Sequence, residues 1–241
     1  MRKISIILIL SLLSLNAHAW AWSEHRFLAY MAAEHLTPST QAFIDRYLDQ
    51  HIMQYSNWMD RYVDSPMCRK SGISHMGYVK TDGTIPEDDR SNSIPSIRKS
   101  IDILSNWKEY NDSTVRVNIV YLIHLIPEIH CPSHIYLEEL GTKEEGQKKI
   151  WAPFKYDGVK QRSYHYFWDS SLSKLYPQKG NDELLAILDT WDEAKIAEAC
   201  KGTVYDWARD NVSRIRLVFD WYKPEVGSEF LQEEHGWLVE E

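Results

Sequence analysis

Apolar residues recur at three- and four-residue spacings along most of this chain, and that period restricts it to helices packed on helices. Phe27, Leu28, Met31, Ala32 and His35 share one face of a first helix. It stops near Thr37-Pro38, because the residue before a proline is driven out of helical backbone. Further helices are predicted over about 39–51 and 94–107. Asp112 or Ser113 stands where it can cap the next, in which Val117, Val120, Tyr121 and His124 keep helical spacing. Residues 182–199 and 204–221 carry the clearest later helices, while 67–86, rich in Gly, Ser and Pro, reads as a loop with a short strand pair. The expectation is an all-α, single-domain helical fold over 20–241, with a polar tail from about 224.

The first nineteen residues, MRKISIILILSLLSLNAHA, stand apart. Arg2 and Lys3 precede an apolar run from Ile4 to Leu15, and Ala17-His18-Ala19 is a small-residue cleavage pattern. That is the layout of a secretory signal peptide, and the run is shorter than the roughly 20 residues that span a bilayer. The expected product is exported, periplasmic or secreted, monomeric, without stable membrane insertion, and begins at Trp20. Losing Arg2 and Lys3 takes the formal charge from −8 to −10. So acidic a chain has no general attraction for nucleic acid, and a phosphate ligand would need a local positive centre such as a metal. Cys68, Cys131 and Cys200 are too far apart for a metal motif, and one disulfide of unassigned pairing plus a free thiol is the simplest arrangement. Asn111-Asp-Ser and Asn211-Val-Ser match the glycosylation pattern.

The stretch HLIPEIHCPSH, residues 124–134, packs three histidines and a glutamate into eleven residues. His124 and Glu128 stand four apart, on one face of a helix that Pro127 is expected to bend or end. His134 follows the break and can approach the same point from another direction. His165 and Asp169 repeat the four-residue spacing in SYHYFWDSS. Imidazole and carboxylate are both good zinc donors, and all five residues lie in apolar or aromatic surroundings. His35, His51, His130 and His235 read instead as surface or hydrogen-bonded histidines.

The start WAWSEHRFLAYMAAEHLTP resembles the mature N-terminus of the S1/P1 nuclease family, with Trp20 and His25 in the spacing that family uses. Asp60 in NWMD, His75 in ISHMGY, the set His124, Glu128 and His134, and the pair His165 and Asp169 then match its motifs in order. The resemblance implies three zinc ions per chain. Asp60, His75, His124 and Glu128 would hold the first, and His134, His165 and Asp169 the second. The Trp20 amine and carbonyl with His25 would hold the third, Glu128 bridging it to the first. An α-amino group suits that role, since its pKa of roughly 8 lets it deprotonate near neutrality, but only after leader removal.

The implied activity is zinc-dependent hydrolysis of single-stranded DNA or RNA to 5′-phosphorylated products, with Glu128, Asp60 and Tyr78 at the chemistry. Arg61, Met76 and Tyr78 are the expected substrate contacts. Four positions depart from the family pattern. Glu128 replaces an aspartate, Met76 a base-stacking aromatic, Tyr78 an aspartate and Val63 an arginine. Tyr62, Tyr78, Trp151, Phe154, Tyr156 and Tyr164 can serve as stacking faces or as core. Those departures leave two alternatives open: a zinc-dependent phospholipase C acting on phospholipid, and an exported zinc-binding protein without activity.

Overall fold

The computed structural model describes residues 22–61, 72–88, 92–140, 153–156 and 160–221. The leader, Trp20, Tyr62, Val63, Cys68, Trp151, His235 and the tail from 224 lie outside them. The described chain is mostly helical, as the periodicity predicts, and among the described residues no helix is long and apolar enough to cross a membrane.

Helix α1 spans Trp22–Glu34 and α2 Pro38–Tyr47. Thr37 separates them, accepting from the Thr40 amide, with Pro38 at the first helical position where its missing N–H costs nothing. α2 ends short of the predicted His51, and His51 instead accepts from the Met53 amide at the head of the 3₁₀ turn Ile52–Gln54. A four-residue helix, α3, covers Trp58–Arg61. Strand β1, Gly77–Val79, leads to α4, Ser93–Ser105, and α5 is Asp112–His130. The cap of α5 is Asn111, one residue before the expected Asp112, because its side chain reaches the Thr114 amide.

Pro127 does not end α5, which runs one turn further. Proline removes a single rung of the ladder, while the buried face Leu125, Glu128 and Ile129 keeps that last turn on the core. Strand β2, Ile135–Leu137, pairs parallel with β1, so the strand expected near 67–86 finds its partner across the chain rather than beside it. Gly77 permits that pairing: a Cβ there would stand 3.2 Å from Ile135 and 3.3 Å from Ile94. The hairpin β3, Pro153–Tyr156, and β4, Lys160–Ser163, leads into α6, Tyr164–Asp169, and α7, Ser171–Leu175.

The helix predicted over 182–199 is two, α8, Asn181–Leu188, and α9, Glu193–Ala199. Asp192 turns its carboxylate to the Lys195 amide and opens a new helix there, which breaks the run. α10 spans Val204–Trp221, as predicted.

α5 is the axis. One side packs with α4, β1, β2 and α10 through Ile94, Ile97, Leu125, Ile129, Ile135 and Ile215. The other packs with α2 through Ile44, Tyr47, Val115 and Ile119. α1 is tied separately to α7 and α8 through Phe27, Leu172 and Leu184. Buried Asn211 of α10 donates to the Ile129 carbonyl at 2.8 Å. That carbonyl is one of the helix-end acceptors without an intrahelical partner, so α10 caps the end of α5 that carries Glu128. Asn211 is therefore a structural residue of the folded chain rather than an exposed glycosylation acceptor; Asn111 is exposed. Replacing Asn211 by alanine strands the Ile129 carbonyl and should cost about 1–3 kcal/mol. Urea unfolding followed by circular dichroism reads this directly, and an unmoved midpoint would refute the cap.

Candidate metal centre

Six separate segments send histidines and carboxylates to one buried region. α1 contributes His25, α3 Asp60, the loop before β1 His75, and α5 both His124 and Glu128. On the far side, the 3₁₀ turn Pro132–His134 contributes His134, and α6 His165 and Asp169. Relative exposure is 4% or less at His25, Asp60, His124, Glu128, His134, His165 and Asp169. Among the described donors only the His75 side chain, at 21%, reaches solvent, and it marks the open side of the cluster.

Glu128 is the hub. Its Oε1 lies 3.1 Å from His124 Nε2, 3.4 Å from His25 Nε2 and 3.6 Å from His75 Nδ1. Its Oε2 turns the other way, 3.2 Å from His134 Nε2. The carboxylate therefore joins the first group to His25, and its second oxygen also faces the second group, a link the sequence reading did not include. Asp60 Oδ1 is 3.4 Å from His75 Nδ1 and 3.6 Å from His124 Nε2, and its Oδ2 is 4.0 Å from His25 Nε2. In the second group His165 Nε2 is 3.0 Å from His134 Nε2, and His165 Nδ1 is 2.6 Å from Asp169 Oδ2.

The donors are held by the backbone. His124 Nδ1 donates to the Ser56 carbonyl at 2.7 Å, which leaves Nε2 as the ring nitrogen facing Asp60 and Glu128. The His75 loop is pinned by the Ser93 amide on the Met76 carbonyl and by the Ser74 hydroxyl, which bonds both ends of Met76. The His25 ring stacks on His124 with centroids 4.2 Å apart. His134 Nδ1 meets the Ser133 hydroxyl at 3.2 Å, and that hydroxyl meets the Cys131 thiol at 3.1 Å.

Burial alone would drive the Glu128 carboxyl up, but His134, His124, His25 and His75 around it hold it well below the usual range. Burial lowers His25, takes His134 to about 4 and takes His165 to about 2. Burial also opposes protonation of His75, yet the nearby carboxylates of Asp60 and Glu128 prevail and raise it to about 9. Two buried carboxylates thus draw positive charge toward themselves. Among the described residues no lysine or arginine pairs with Asp60 or Glu128. Among the described residues, His25 Nδ1 and Nε2, Asp60 Oδ2 and both Glu128 oxygens have no hydrogen-bond partner. Orphaned nitrogen and carboxylate donors at this density fit divalent metal, and zinc bonds to such donors are about 2.0–2.2 Å long.

Asp60, His75, His124 and Glu128 bring one donor atom each within 4.8 Å of the others, as do Cys131, His134 and Asp169. The first group is the one the sequence motifs assemble. The second includes Cys131, which spacing arguments among the three cysteines set aside. Its signal was its place inside HLIPEIHCPSH, between two donor residues. Cys131 is buried and Cys200 exposed, both free thiols, so the expected disulfide does not join these two. Burial pushes the Cys131 thiol well up.

The residues assigned to the substrate lie less centrally. Tyr78 donates its hydroxyl to Glu138 at 3.2 Å and packs on Tyr136, Met76 is partly buried, and Arg61 lies over the exposed Trp22 ring. His35 pairs with Asp189 at 2.9 Å and His130 bonds the Ile126 carbonyl, both away from the cluster as expected.

The profile of the S1/P1 Nuclease family matches residues 20–228, which takes in every one of these donors. No curated protein matches the chain. Covered over most of its length by that profile, and helical as the family resemblance implies, the chain belongs to the S1/P1 nuclease family of phosphodiester hydrolases.

Proposed function

We propose that this protein is an exported, zinc-dependent nuclease that cleaves single-stranded DNA or RNA to 5′-phosphorylated products. The observation that carries the proposal is Glu128: a fully buried carboxylate within 3.6 Å of four histidines, with no lysine or arginine paired to it among the described residues. Asp60, His75, His124 and Glu128 would hold one ion, and His134, His165 and Asp169 a second. His25 would hold a third with the amine and carbonyl of Trp20, freed by removal of the leader. Zinc supplies two things to such a reaction, neutralisation of phosphate charge and activation of water.

The chain's own residues supply the rest. Glu128, with one oxygen turned to each side, keeps the two groups in register. The Ser56 carbonyl fixes the His124 ring, so that its Nε2 stays available as a donor. The near-complete burial of the ligands keeps bulk water off the site except beside His75, which confines substrate entry to that side. The formal charge of −8 is compatible with a phosphate substrate only through such a local positive centre. Family membership supports nucleic acid over the phospholipid alternative.

Protein beginning at Trp20 and loaded with zinc should release 5′-nucleotides from single-stranded DNA or RNA, and a chelator should stop that release. Hydrolysis of phospholipid in place of nucleic acid would contradict the assignment. His124→Ala should lower turnover by on the order of a thousandfold and reduce bound zinc, whereas His35→Ala, remote from the cluster, should retain both. Equal rates and equal zinc in the two variants would refute the ligand assignment.

A further inference from the structure

We propose that Trp22 and Arg61 form a stacking subsite for one nucleobase of a single-stranded substrate, on the outer edge of the ligand cluster. This rests on the nuclease reading above and names residues that act on the substrate rather than on the metal.

Helices α1 and α3 meet at two levels. Inside, His25 Nε2 and Asp60 Oδ2 are 4.0 Å apart; outside, the Arg61 guanidinium carbon is 5.3 Å from the centre of the Trp22 ring. The pairing follows from sequence spacing. Trp22 and His25 are three apart on α1 and so are neighbours on its surface, while Arg61 directly follows Asp60 on α3. Each outer residue is thereby carried by the element that places an inner ligand. Asn57 donates to the Trp22 carbonyl at 3.0 Å and holds the start of α1 against the segment leading into α3.

The exposure of these residues points to a partner outside the chain. His25 is fully buried, yet Trp22, one helical turn from it, is 43% exposed. The guanidinium braces the ring by a cation–π contact, and the exposed remainder of the indole is a flat apolar face of the kind bases stack on. Arg61 is itself exposed and pairs with no carboxylate among the described residues, so its charge remains directed to solvent in an acidic chain. An aromatic plane with a neighbouring cation is the combination that grips a base and its phosphate without reading sequence.

The test compares oligothymidylate with an abasic tetrahydrofuran phosphodiester of equal length, which keeps the backbone and removes the bases. The zinc-loaded enzyme should show a higher kcat/KM on oligothymidylate. Trp22→Ala should reduce that preference by on the order of tenfold, while Trp22→Phe keeps most of it. Should alanine unfold the start of α1, Trp22→Leu repeats the test with apolar bulk and no ring. Arg61→Ala should weaken cleavage of both polymers and flatten the dependence of KM on salt. An undiminished preference in Trp22→Ala and Trp22→Leu overturns the subsite while leaving the nuclease standing. Cleavage of neither polymer by the parent enzyme overturns both.

Discussion

A carboxylate removed from water must be given positive charge or a proton, and Glu128 has neither a lysine nor an arginine paired to it among the described residues. Much of the surrounding architecture answers that requirement. Four histidines from four elements converge on its two oxygens, and burial strips two of them, His25 and His134, of their readiness to carry a proton. Neutral imidazoles and ionised carboxylates are the protonation states a divalent ion selects, and His25, His134 and Glu128 are held in them by the fold, whereas His75 would give up its proton to an ion. On the proposed assignment, metal binding and folding would be linked in this chain, because the ion would offset the desolvation that the apolar core imposes on Asp60 and Glu128.

The precision of the cluster depends on how α5 is held. Its start is capped by Asn111, its middle is fixed by His124 on the Ser56 carbonyl, and its end is capped by Asn211 from α10. Between those points the apolar faces toward α2 and α4 fix its rotation, and rotation decides whether Glu128 points at the histidines or at solvent. Buried Glu24, beside His25, accepts from the Ser173 amide at 3.0 Å and ties α1 to α7, just beyond Asp169. Ligands far apart in sequence therefore share one rigid frame.

What could be read beforehand was whatever lies within one helical turn. The His124–Glu128 and His165–Asp169 pairs and the long helices α5 and α10 follow from local spacing. Long-range pairing did not: β1 meets β2 only because the chain returns after α4 and α5, and no local pattern announces that. Competition between equally good local signals misled elsewhere. Asn111 and Asp112 can both cap, and the side chain that reaches the Thr114 amide decides. Residues 182–199 have helical composition throughout, yet Asp192 starts a new helix inside them. The approach of Cys131 to Asp169 and the Trp22–Arg61 contact became visible only in three dimensions, since each depends on elements distant in the chain.

The metal content of the protein beginning at Trp20, purified without chelator and measured by inductively coupled plasma mass spectrometry beside Glu128→Gln, tests the central claim most directly. That substitution keeps the side chain's shape and removes its charge. The account predicts two to three zinc ions per parent chain and a marked loss in the variant, because both groups face that one carboxylate. Less than one zinc in the parent, or equal content in the two proteins, would contradict it.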